Sequence, residues 1–84
     1  DHRRAKQVGE VLEACSYVKK VEPIETNIVI FYVIDSIDPM NFIAKMEAKG
    51  ILMISMGQGK LRIVTHLDFS EPMLDKLIIE LKAF

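Results

Sequence analysis

No stretch of this chain approaches the ~18 consecutive apolar residues of a membrane span, so no membrane-embedded role is expected. An excess of either charge is missing too. Eleven basic and twelve acidic side chains leave a net charge of −1, whereas a nucleic-acid module normally shows a basic excess or stripe. Arg3, Arg4 and Lys6 cluster at the start, but Glu10 and Glu13 follow on the same predicted helix, which reads as a solvated face. The single cysteine, Cys15, excludes an internal disulfide and suits a reducing, cytoplasmic compartment. His2 and His66 are too few and too far apart to suggest a metal site. The opening DHRRAKQVGE has no apolar signal core behind it, so nothing suggests secretion. Repeats, low-complexity segments and long linkers are absent.

What is present is enough for one domain, residues 1–84, with one modest core. Half the residues are hydrophobic and the mean hydropathy is positive, so some apolar surface is expected to face a partner or a second domain. The chain begins without methionine and within a helical pattern, so it is expected to be a piece of something longer.

Ala5, Val8, Leu12 and Cys15 recur at helical spacing and predict an amphipathic helix over about residues 3–18. Gly9 weakens that helix by about 1 kcal/mol relative to alanine. Cys15 reads as a small core residue. Val21 to Asn27 reads as a connection, and IVIFYVI (residues 28–34) as a strand covered on both faces. Asp38-Pro39 marks a helix start, Phe42, Ile43 and Met46 give the helix its buried stripe, and Gly50 ends it. ILMIS and KLRIVTH follow as strands joined by a short Gly57-Gln58-Gly59 hairpin loop. Ser70 can cap a last helix whose buried face is Leu74, Leu77, Ile78 and Leu81. The predicted order is α-β-α-β-β-α, an α+β domain with a small antiparallel sheet and helices packed on it.

Strand alternation turns Arg62, Val64 and His66 to one face and Leu61, Ile63, Thr65 and Leu67 to the other. Arg62 and His66 stand roughly 13 Å apart along the strand, too far to grip one small group. Arg62 follows the hairpin, where a long side chain can reach past the sheet edge. Its guanidinium fork matches a carboxylate bidentately, which makes it a candidate anion-binding residue. The plain alternative is a surface arginine paired with an acid. His66 defaults to a structural hydrogen bond. The GQG glycines precede no helix and make no phosphate loop. Asp35, Asp38 and Asp68 fall at element ends, and the five methionines are scattered as core filler. No nucleophile–base pair or acid cluster stands out, so the isolated domain reads as non-catalytic, with no catalytic, cofactor-binding or metal residue of its own.

DHRRA at the start, ETNIV at 25–29, G-x-G-x-LR and VTH-x-D-x-S at 64–70 together resemble the end of threonine aldolases. These are pyridoxal phosphate lyases of the aspartate-aminotransferase-like superfamily, fold type I. The resemblance covers essentially the whole chain and implies the C-terminal small domain of such an enzyme. It implies cleavage of β-hydroxy-α-amino acids, such as threonine or allo-threonine, to glycine and an aldehyde. A large N-terminal domain, absent here, would hold the cofactor through a lysine. Arg62 matches the small-domain arginine that receives the substrate's α-carboxylate. Thr26, Asn27, His66 and Asp68 match family stretches without a role beyond structure. The resemblance further implies a homo-oligomer, a dimer or tetramer. Three other readings stay open: another pyridoxal phosphate β-eliminating lyase, a stand-alone ferredoxin-like ligand-binding or regulatory module, and a purely structural dimerisation domain.

Overall fold

Helical spacing brings Ala5, Val8 and Leu12 onto one stripe of α1, His2–Ala14, and all three are completely buried in the computed structural model. The structure describes residues 2–24, 28–63 and 71–84, with His2 by its backbone alone. The helix stops at Ala14, short of the expected residue 18. Its last turn tightens as the Cys15 N–H donates to the Leu12 carbonyl at 3.0 Å, and Tyr17 then leaves the helical path for the core. Cys15 is half-buried, its thiol donating to the Val11 carbonyl at 3.3 Å.

Val18–Val21 then forms β1, where the sequence predicts a helix end and a connection. The pairing with the next strand shifts register between Val18 and Lys20. That irregularity places Lys19 and Lys20 side by side as exposed residues and erases the alternation by which a strand is recognised. The observed order is therefore α-β-β-α-β-β-α.

β2, Val29–Val33, alternates cleanly. Val29, Phe31 and Val33 are buried, while Ile30 and Tyr32 are half-buried on the opposite face. The expected cover on both faces is not found: among the described residues the helices take one face and leave the other partly open. Asp38 caps α2, Pro39–Glu47, its Oδ1 accepting from the Met40 N–H at 3.1 Å with proline in the first turn. Phe42 and Met46 are buried, and Ile43 packs partly against the core. Past Gly50, the Ile51 N–H returns to the Met46 carbonyl at 2.9 Å.

β3, Met53–Ser55, and β4, Lys60–Ile63, make the predicted hairpin. Its loop runs through three successive left-handed residues, Gly57, Gln58 and Gly59, at φ 88°, 54° and 81°. Two of the three positions are glycine, which adopts that region without a steric penalty. The four strands lie in the order β1-β2-β4-β3, antiparallel throughout. β2–α2–β3 is thus a β-α-β unit with β4 inserted between its two parallel strands.

The last helix, α3, Glu71–Ala83, buries Leu74, Leu77 and Leu81 beside α1. Ser70, its expected cap, lies outside the described residues. Arg4 Nε meets Glu71 Oε1 at 3.2 Å, so one cation of the supposedly solvated basic cluster ties α1 to α3. At the far end the Tyr17 hydroxyl donates to the Leu81 carbonyl at 2.6 Å. That carbonyl belongs to the last turn, where intrahelical donors run out. Around this point Phe84 packs edgewise on both Tyr17 and Phe42, whose own rings are tilted to each other, with Phe42 and Phe84 centroids 4.5 Å apart.

Candidate functional site

The face of the sheet turned away from the helices carries the one candidate residue that the described structure reaches. On β4 the alternation is sharp: Leu61 and Ile63 point into the core at 0% and 2% exposure, so Lys60 and Arg62 point the other way. Arg62 does not stand at a strand end reaching past an edge, as its place after the hairpin suggests. β4 is an interior strand, and Arg62 is opposite Ile30 on β2 and Ile54 on β3. Cross-strand partners share a face, so the aliphatic stem lies in a row of isoleucines.

The consequence is electrostatic. Nε of Arg62 is shut off from solvent and has no hydrogen-bond partner among the described residues. An unpaired buried donor costs about 1–3 kcal/mol, and more on a charged group. The ion pairs Arg4–Glu71 and Lys49–Glu80 lie elsewhere. The cost falls when an anion reaches the guanidinium, so this geometry suits an acceptor with two oxygens such as a carboxylate.

One end of the same face is built around Tyr32. Lys20 Nζ lies 5.8 Å and Lys60 Nζ 5.7 Å from its ring centroid, and its hydroxyl donates to Glu22 Oε2 at 3.0 Å. Lys60, read from sequence as a solvated hairpin residue, is half-buried through this contact. The Tyr32 group escapes sequence analysis because Lys20 sits on the strand that the register shift conceals. Ile28 and Leu52 toward the other end, and Ile54 and Met56 along the β3 edge, are exposed apolar residues.

Four of the described lysines are engaged by neighbours: Lys20 and Lys60 lie over Tyr32, Lys45 over the Phe84 ring, and Lys49 on Glu80. Among the described residues no three His, Cys, Asp or Glu side chains group closely enough to hold a metal ion, and no helix is long and apolar enough to cross a membrane. Thr26, Asn27, Val64, His66, Asp68 and the rest of VTH-x-D-x-S lie outside the described residues. No family model matches the chain, and no curated protein matches it.

Proposed function

We propose that this chain is the C-terminal small domain of a pyridoxal phosphate-dependent threonine aldolase and that Arg62 holds the substrate's α-carboxylate. The observation that carries the proposal is the seat of Arg62, a guanidinium fixed among isoleucines with a buried donor that no described residue satisfies. Such a group is pre-organised for an anion that the domain does not supply. Under this reading the cofactor and its lysine belong to the large domain. The parent would be a cytoplasmic homo-oligomer, and this domain alone would be inactive.

Arg62's work is orientation. Two parallel N–H···O bonds fix both oxygens of the carboxylate, and with them the direction in which the β-carbon leaves. A misplacement of about 1 Å at such a centre can cost on the order of 10²-fold in rate. The test is release of glycine and aldehyde from L-threonine and L-allo-threonine by the full-length parent, with Arg62→Lys and Arg62→Ala beside it. Lysine keeps the charge and loses the fork, so KM rises and kcat falls, by about 10²-fold in kcat/KM. Kinetics unchanged in both variants would remove Arg62 from the site.

The split β-α-β unit favours a second reading, a ferredoxin-like module that binds a small anionic ligand by itself. Calorimetry on the isolated chain with free amino acids separates the two. Heat of binding abolished by Arg62→Ala supports the module, and no heat together with turnover by the parent supports the aldolase.

A further inference from the structure

The two edges of the sheet are built differently. β1 forms one edge and carries Lys19 and Lys20 exposed together at a register shift. Adjacent charge and a bulge are the devices that keep a sheet edge from pairing with another strand. β3 forms the other edge and has neither. Ile51 to Met56, ILMISM, contains no charge and no proline, and Leu52, Ile54 and Met56 are 48%, 50% and 47% exposed.

The backbone at this edge faces outward in a defined way. The Met56 N–H donates to the Lys60 carbonyl at 2.8 Å, which turns the backbone groups of Met56 and Ile54 toward β4. Met53 and Ser55 therefore direct their N–H and C=O groups away from the sheet, and no described backbone group meets them.

We infer that β3 pairs antiparallel with β3 of a second copy of this chain, across a two-fold axis at Ile54, joining two four-stranded sheets into one. The sequence of the edge selects a copy of itself. With the axis at Ile54, Met53 lies opposite the second copy's Ser55, and both such pairs exchange their outward backbone bonds. Ile54 then faces its own counterpart in the closely spaced, non-bonded pairing, about 4.5 Å between Cα atoms. Leu52 faces Met56 on either side of it, so six apolar side chains close into one row and no like charges meet. The same operation at β1 would set Lys19 and Lys20 against their own copies. A partner strand of other sequence would gain nothing from this self-matching register. The inference does not depend on the carboxylate role of Arg62, which lies one strand inward.

The test is Ile54→Cys in the full-length protein under mild oxidation, with the linked peptides identified by mass spectrometry. The Cα separation at the axis lies within the range that a disulfide spans. A disulfide joining the two introduced thiols, one from each copy, is expected as the main product, with Lys20→Cys on the opposite edge giving none. In the unmodified protein the amides of Met53 and Ser55 should exchange more slowly as concentration rises from about 1 µM to about 1 mM, the range in which a small interface saturates. Ile54→Lys, which puts two like charges on the axis, should abolish that dependence. Absence of the symmetric link in the Ile54→Cys protein, equal linking through Lys20→Cys, or exchange at Met53 and Ser55 independent of concentration would each overturn the inference.

Discussion

Gly9 on α1 faces Val21 at the end of β1 and Ile24 just beyond it. A Cβ added there would overlap Cδ1 of Ile24 and lie 3.8 Å from Cγ1 of Val21. Replacing a helical glycine by alanine ordinarily stabilises by about 1 kcal/mol. The overlapping atom is the tip of a half-buried, flexible side chain that can rotate aside, so Gly9→Ala is expected to raise the unfolding midpoint, keeping part of that gain. In an Ile24→Val background the obstructing methyl is gone and the same change should stabilise by the full helical gain, a difference that a thermal double-mutant cycle detects. From sequence, Gly9 reads only as a weak point in a helix. What it faces, Ile24 in the connection after β1, is a tertiary contact that no local pattern records. Arg62 shows the complementary case: alternation alone assigns it to the face opposite Leu61 and Ile63. Its flanking by Ile30 and Ile54 depends on a strand order that alternation does not contain.

Elements with their own chemical punctuation are the ones legible in advance. Asp38-Pro39 starts α2, and the Gly57-Gln58-Gly59 loop turns β3 into β4. Asp38→Ala removes the acceptor for the Met40 N–H and should cost about 0.5–2 kcal/mol, while Asp38→Asn retains most of the stability, as denaturant midpoints would report. β1 has no such signal. Its two central lysines imitate the polar end of a helix, and only pairing with β2 makes it a strand. The expected double cover of β2 fails for a related reason. An apolar run shows that a strand can be buried on both sides, but here all the described helical stripes go to one face.

For the molecule as a whole, the Tyr17–Leu81 bond links the turn after α1 to the last turn of α3 and needs its proton to exist. Burial, reinforced by the neighbouring Cys15, pushes the Tyr17 phenol well above its ordinary value of 10.0. A phenol raised in the folded state leaves stability intact below pH 10 and withdraws it as pH climbs beyond, because the unfolded chain ionises first. In a Tyr32→Phe variant, which leaves one phenol, phenolate absorbance is expected to rise together with loss of the circular dichroism signal. Adding Tyr17→Phe should cost about 1–3 kcal/mol at neutral pH and weaken the alkaline transition. The order β1-β2-β4-β3 also sets a sequence of events in time. Each hairpin closes from neighbouring residues, whereas the seam that pairs Val29 with Ile63 and Tyr32 with Lys60 must bring together strands separated by all of α2 and β3. Such distant closure is the slow step of folding. Arg62 acquires Ile54 with its own hairpin but Ile30 only at the seam, so a newly made chain encloses this guanidinium between its two isoleucines at the last stage of folding.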